Sequence, residues 1–444
     1  MQKNLCFTVV SSIILLGLVG GCSYVKSTSS GSGKVDQGGN GKTINAIGNV
    51  PKPEAPLTVP PDKPDVAANA LALNYVQGLS AGSKAQGVWM QSGNNLLANV
   101  QGTTPLQAAS ISKVATTLVA LNTLGPDHRY ITKIGATGPV DDGVVKGDLV
   151  IEGGEDPFFV WEEAIAVGNF LNKIGIKRVT GNLIVTGKFY MNFNNDPKQS
   201  GTFFKTGVNN KIWSKIAANQ YNTLPTGTPK PQVVIDGTVK VLPSAPDTTK
   251  PVMRHQSYPL AELAKRMNMY SNNEMAEAIA NSVGGAAVVA KKAAELAGVP
   301  ENEIKLINGS GLTYENRISP RAATAMFRAV ENYLKPHNMT IADVFAVIGE
   351  DKGILEQRKI PKLAVVKSGS LDTVSALAGA LPTEKGTIWF TLMNGDGDLN
   401  VFRKQQDVFL TGVASKWGTL NVPPAELTPN RDRANKTSIS EIAN

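Results

Sequence analysis

Four residues, Ser110-Ile111-Ser112-Lys113, carry the most reactive pairing in this chain of 444 residues. A serine hydroxyl is a weak nucleophile until a neighbouring base takes its proton, and a lysine held away from water can be that base. Residues three apart share a helix face. Ser110 and Lys113 therefore project together if the run Ile111 to Leu124 is helical. A helix start also leaves backbone N–H groups free where negative charge develops. Taken alone, the serine is more simply a helix N-cap, so partner residues must decide.

Two further triplets supply them. Ser271-Asn272-Asn273 falls between a helix ending near Met267 and another starting near Asn273. There a hydroxyl can relay a proton to a leaving amine, and a carboxamide can bind a substrate amide. Lys367-Ser368-Gly369-Ser370 ends an apolar strand. There a lysine and a hydroxyl can hold a carboxylate, and Gly369 lets a substrate backbone lie against the strand. Each pattern has a competing copy. Ser23…Lys26 lies in a low-complexity segment, and Ser92-Gly93-Asn94 sits on a hairpin turn, where those residues serve the backbone. Lys205-Thr206-Gly207 precedes Ser271 and has no strand meander behind it.

The elements that must position these groups follow from periodicity. Residues 67–81 read as a short helix, and Gly87 to Val100 as a hairpin around Gly93-Asn94-Asn95. Helical spacing returns in Leu260–Met267, Asn273–Val283, Ala286–Ala297 and Pro320–Tyr333. Leu363–Lys367, Ser375–Leu381 and Gly386–Asn394 read as a three-strand meander, with a closing helix over Asp407–Ala414. Between these groups the character changes. Short strands at Tyr130–Ile134, Gly147–Ile151, Gly181–Val185 and Gln232–Ile235 surround one helix, Glu162–Ile174. That pattern predicts a small α+β domain over 131–240, inserted into a main domain made of 67–130 and 241–422. Residues 423–444 are polar and read as a disordered tail.

Composition is globular, with 42% hydrophobic and 18% charged residues. The net charge of +8 comes without a basic cluster interleaved with aromatics, which argues against nucleic acid as a partner. The two cysteines are Cys6 and Cys22, and the three histidines (His128, His255, His337) are far apart in sequence. No metal site, cofactor or histidine-based triad is implied, which raises the value of a lysine base. Lys3 and the apolar run Phe7–Val19 have the layout of a secretory signal, too short to span a bilayer as a helix. The stretch Leu18-Val19-Gly20-Gly21-Cys22 resembles a bacterial lipobox. That resemblance implies a signal over 1–21, cleavage before Cys22, a lipid on its thiol and an exported, membrane-anchored lipoprotein of the cell envelope. The Ser, Gly and Pro of 22–66 suit a flexible linker.

In the order Ser-x-x-Lys, Ser-x-Asn, Lys-Ser-Gly, the trio matches the set used by serine β-lactamases and penicillin-binding proteins. The chain resembles the D-alanyl-D-alanine carboxypeptidases/endopeptidases of the class C low-molecular-mass penicillin-binding proteins over most of 85–415. The likeness extends to Leu121–Tyr130, Gly147-Asp148-Leu149, Gly153–Pro157, Asn308–Leu312 and Ile318-Ser319-Pro320. It implies an α/β (α+β) fold: a transpeptidase-like domain, an antiparallel sheet flanked by helices, with the insert between the first two motifs. It also implies a peptidoglycan stem peptide as substrate and β-lactams as inhibitors. Ser110 is then the nucleophile and Lys113 its base, while Ser271 is the proton relay. Asn273, Lys367, Ser368, Gly369 and Ser370 bind substrate, with the N–H groups of Ser110 and Ser370 on the oxyanion.

Three departures stand out. Asn272 replaces the usual Asp, and Ser368 the usual Thr. The interval from Ser110 to Ser271 is also short for members with two inserted domains, so one insert is expected. Two other readings remain open on sequence. A β-lactamase shares the trio, although Asn308–Gly311 lacks the glutamate of a class A deacylating loop and the nearest is Glu315. A non-catalytic wall-peptide-binding lipoprotein would have no need of a base.

Overall fold

The computed structural model describes residues 63–79, 83–433 and 436–443. The expected signal, the lipobox with Cys22, all but the end of the 22–66 linker and the Ser23…Lys26 copy lie outside the described residues.

Helix α1 (Val66–Gln77) starts where the Asp65 carboxylate accepts from Ala68 N at 2.7 Å. Strands β1 (Gln86–Ser92) and β2 (Asn95–Val100) form the expected hairpin, with Gly93 at φ +54° in its turn. Helix α2 (Ser112–Leu124) carries Lys113. After the insert come α4 (Leu260–Tyr270), α5 (Asn273–Ser282), α6 (Ala286–Ala297) and α7 (Pro320–Leu334), where α3 belongs to the insert described below. Strands β8 (Ala346–Val347), β9 (Val365–Leu371), β10 (Val374–Leu381) and β11 (Ile388–Asn394) lead to α8 (Leu399–Trp417). The main sheet is antiparallel, in the order β8-β9-β10-β11-β1-β2.

Alternation along β10 explains the layers. Ala376, Ala378 and Ala380 face the cluster built around α2, and Leu377 and Leu381 face the cluster of α1 and α8. Small side chains on the first face let a helix approach the sheet closely. From Ser112 to Leu121 every residue of α2 is buried. Such a helix, buried on all sides, is the core element of this half, and α4, α5, α6 and α7 pack around it.

The insert has its own sheet and its own apolar cluster. Its sheet is built from β3 (Ile131–Ala136), β4 (Leu149–Gly154), β5 (Leu183–Lys188), β6 (Val239–Val241) and β7 (Lys250–Gln256), and beside the expected helix, α3 (Trp161–Lys173), it has two more, Pro197–Gly207 and Lys215–Tyr221. One further strand, β12 (Ile439–Ile442), completes the order β6-β5-β4-β3-β7-β12.

Two expectations about extent are corrected here. The main domain does not resume at 241, because β7 pairs antiparallel with β3 and its Met253 belongs to the insert's cluster. The polar segment after 423 is not disordered throughout. Leu427 is buried, and β12 pairs with the edge strand β7. Glu441 accepts from Arg254 and Gln256, and Ser440 meets His255 Nδ1 at 2.9 Å. Cross-strand polar pairs order a strand without an apolar pattern, which is why composition misread it. The closing helix is also longer than Asp407–Ala414. Asp398 caps it ahead of the apolar stretch, accepting from Asn400 N and Val401 N at 2.8 Å. No helix among the described residues is long and apolar enough to cross a membrane.

Candidate active site

A short 3-10 turn, Ala109–Ile111, delivers the chain into α2. Ala109 has φ +45°, a conformation that costs a non-glycine residue energy and persists only when its surroundings enforce it. Two glycines do so. A Cβ on Gly369 would meet Ala108 O at 2.8 Å and Ser110 N at 2.9 Å, and one on Gly311 would collide with Ala109 O. Strand β9 on one side and the 309–311 loop on the other thus close directly on the Ala109–Ser110 backbone. Ser110 still reaches the surface, whereas Lys113 is completely buried.

Lys113 Nζ has three neighbours: Ser110 Oγ at 2.9 Å, Asn273 Oδ1 at 2.8 Å and the Ser310 carbonyl at 2.6 Å. A neutral amine has two N–H bonds and one lone pair. Donation to Asn273 and Ser310 leaves that lone pair for the Ser110 hydroxyl proton. Burial pushes the lysine down to about 7, against the pull of the Glu277 and Glu274 charges. It is therefore a base in the neutral range.

Ser271 terminates α4 in the left-handed region, φ 51°, and so separates that helix from α5. The Asn272 side chain caps α5 by accepting from Met275 N at 2.8 Å. This gives the residue that departs from the usual Asp a structural job. Ser271 Oγ accepts from Lys367 Nζ at 2.9 Å, and the same amine donates to Ser368 O at 2.5 Å. Lys367 is also fully buried. Burial, and then Lys113, hold its amine well below the usual lysine range. It lies inside β9 rather than at a strand end, since β9 continues through Gly369 and Ser370 to Leu371. The neighbouring strand β8 covers only Val365 and Val366. Among the described residues the β8-side edge from Lys367 onward has no strand beside it, and an extended peptide can add there.

The structure thus brings Ser110, Lys113, Ser271, Asn273, Lys367 and Gly369 together. Ser368 follows on the same strand, 5% exposed, and Ser370 accepts from Arg403 Nη2 at 2.9 Å through its hydroxyl. Cys22 lies outside the described residues. The competing copies sit elsewhere. Ser92-Gly93-Asn94 makes the β1–β2 turn, and Lys205-Thr206-Gly207 ends a helix of the insert, with Lys205 Nζ donating to Gly237 O at 2.5 Å.

Sequence reasoning missed Arg403, Glu277, the Ser310 carbonyl and Asn316. Asn316 is fully buried and donates to Ser112 Oγ and Asn308 O, both at 2.9 Å, tying the 308–311 loop to the Ala109–Ile111 turn and the start of α2. The run Asn308-Gly309-Ser310-Gly311 was the available signal, because so many small residues before a helix mark a backbone that packs closely.

The chemistry available is acyl transfer: an activated serine, a buried neutral-range lysine beside it, and a second lysine–serine pair next to an open strand edge. The sequence profile of the D-Ala-D-Ala carboxypeptidase 3 (S13) family matches residues 77–221 and 230–413. Over 390 residues the chain is 22% identical to D-alanyl-D-alanine carboxypeptidase DacB of Haemophilus influenzae, covering 66% of this chain and 81% of that protein. It is 24% identical over 330 residues to carboxypeptidase DacB of Mycolicibacterium smegmatis, covering 64% and 70% respectively. Its fold is similar to that of the penicillin G-acylated Bd3459 predatory endopeptidase of Bdellovibrio bacteriovorus, solved in complex with the immunity protein Bd3460. That similarity has a TM-score of 0.64 and 21% identity, and covers 80% of this chain and 99% of the other.

The base assignment carries a signed pH prediction. Lys113 works deprotonated, so acylation of Ser110 rises about tenfold per unit below about pH 7 and levels above it. Stopped-flow acylation by a fluorescent penicillin, between about pH 5 and pH 9, measures this. A rate still climbing in proportion to hydroxide at the top of that range would mean a lysine of ordinary basicity.

Proposed function

The chain belongs to the D-Ala-D-Ala carboxypeptidase 3 (S13) family, and from that premise we propose how its own residues perform the reaction. It is a serine-type D-Ala-D-Ala carboxypeptidase whose substrate is the stem peptide of peptidoglycan. The observation that carries the residue assignment is the Lys113 amine, held 2.9 Å from Ser110 Oγ with its other partners both acceptors.

Ser110 Oγ attacks the penultimate D-Ala carbonyl while its proton passes to Lys113. The negative oxygen sits between the N–H groups of Ser110 and Ser370, and losing one such donor typically costs about a hundredfold or more in rate. Ser271 then gives its proton to the amine of the terminal D-Ala as the C–N bond breaks and D-Ala leaves, and the proton Lys113 took from Ser110 passes on to Ser271, leaving Lys113 neutral again. Lys367 serves Ser271 directly, since its amine is turned to that hydroxyl and away from solvent. Asn273, with Oδ1 committed to Lys113, offers its NH₂ to a substrate carbonyl. Water next attacks the ester while the neutral Lys113 takes its proton, and Lys113 returns that proton to Ser110 Oγ as the ester C–O bond breaks and the shortened peptide leaves.

The terminal carboxylate lies against the hydroxyls of Ser368 and Ser370, with the Arg403 guanidinium behind Ser370 as the fixed cation. Cleavage of a D-Ala cross-link breaks the same kind of bond, and the similar Bdellovibrio protein is an endopeptidase, which makes that the second activity to assay. β-Lactams acylate Ser110, as penicillin G acylates that endopeptidase. The enzyme works in the cell envelope, tethered through a lipid on Cys22 at the start of the linker.

Two measurements test this. Release of D-Ala from a peptide ending in D-Ala-D-Ala should fall by about 10⁴ or more in Ser110→Ala, and undiminished release would remove Ser110 from the mechanism. Arg403→Ala should raise KM for that peptide about tenfold while kcat changes little. An unchanged KM would place the carboxylate elsewhere.

A further inference from the structure

Helix α5 brings two side chains to the base. Asn273 touches Lys113 directly. One turn on, and so on the same face, Glu277 holds the backbone that touches Lys113 from the other side. The two oxygens of Glu277 accept from Gly309 N at 3.1 Å and Ser310 N at 2.9 Å. The Ser310 carbonyl in turn accepts from Lys113 Nζ at 2.6 Å, and the Gly309 carbonyl accepts from Thr116 Oγ1 of α2 at 2.9 Å. The loop is flush against α5, for a Cβ on Gly309 would meet Ala276 O at 2.9 Å. Two N–H groups on one carboxylate are charge-assisted hydrogen bonds, about twice as strong as neutral ones.

We infer that Glu277 is the positioning residue of the general base: its carboxylate fixes the loop whose Ser310 carbonyl aims the Lys113 amine at Ser110. This rests on the reading of Lys113 as the base. Without the carboxylate, the peptides of Gly309 and Ser310 keep Thr116, the asparagine side chains and Lys113 itself as partners, and both of their N–H groups lose theirs. The amine then loses the acceptor that holds one of its N–H bonds away from the nucleophile.

Glu277 also acts through its charge. Burial lowers the proton affinity of Lys113, and Glu277 is the largest influence opposing it, followed by Glu274 of the same helix. Lys367, from β9, is the other buried amine facing Lys113, and each lowers the other's tendency to be protonated. One side chain therefore fixes the direction of the lone pair and also raises the pH at which it becomes available, against the larger effect of burial. A residue that merely props up a loop would affect only the first.

The test measures acylation by a fluorescent penicillin against pH for the wild type, Glu277→Gln and Glu277→Asp. Gln has one acceptor oxygen and no charge. Its plateau rate should fall about tenfold or more, and its acid limb should move about one pH unit downward, since removing a negative charge makes Lys113 easier to deprotonate. Asp keeps the charge but is one methylene short, so its plateau should fall while the limb stays within about half a unit of wild type. A Glu277→Gln limb at the wild-type midpoint overturns the inference, whatever happens to the plateau. So does a Glu277→Asp plateau equal to wild type, which decides the matter if the Gln variant fails to fold. If the wild type itself is not acylated, the serine mechanism falls and this inference with it. A labelled wild type with unmoved variants sinks the inference alone.

Discussion

An amine taken wholly out of water is the constraint on which the rest of this structure depends. Lys113 occupies a helix that is buried on every side, and a charged ammonium there would cost far more than its hydrogen bonds return. The chain resolves this by lowering the lysine's proton affinity to about 7 and surrounding it with acceptors rather than a salt-bridge partner. Lys367 is equally buried and depressed in the same direction, with Lys113 as one of the causes. Two amines this close resist being protonated together. Each is paired with a different hydroxyl, Lys113 with Ser110 and Lys367 with Ser271. One cycle of bond breaking needs one proton taken and one given, and in the proposed mechanism the two lysine–serine pairs divide those tasks.

Close backbone approach is what brings the pairs together. Ala109 is held in a conformation alanine avoids, with Gly311 against its carbonyl and Gly369 against the Ser110 amide. The alanine face of β10 lets α2 sit near the sheet, and β9 then presents Lys367 beside the turn between α4 and α5. The site is assembled from elements distant in sequence, yet almost every contact between them involves a small residue or backbone. Precision of this sort comes from absent side chains as much as from present ones.

The three motifs were legible because each needs only a few residues in a fixed spacing: Ser110 with Lys113, Ser271 with Asn273, Lys367 with Gly369. Helix and strand periodicity likewise exposed the meander, the helices after 260 and an insert of mixed strands and helix. What stayed hidden depends on long-range pairing. Arg403 reaches Ser370 only because α8 folds back over the sheet, and no local pattern around Arg403 announces it. Glu277 looks like any polar residue on an amphipathic helix until the 309–310 backbone is laid against it. The edges of the insert were misjudged for the same reason. β7 shows only Met253 and a half-buried Val252 as apolar anchors among polar residues, and the four-residue β12 is ordered by its pairing with β7 rather than by an apolar stripe of its own.

The central claim is that Ser110 is a nucleophile activated by Lys113. Its most direct measurement is the intact mass of the protein after incubation with penicillin, followed by mapping of the modified peptide, for the wild type, Ser110→Ala and Lys113→Ala. The account predicts one adduct on the wild type located at Ser110, none in Ser110→Ala, and acylation slowed by at least about a hundredfold in Lys113→Ala. An adduct that persists in Ser110→Ala, or wild-type rates in Lys113→Ala, would contradict it.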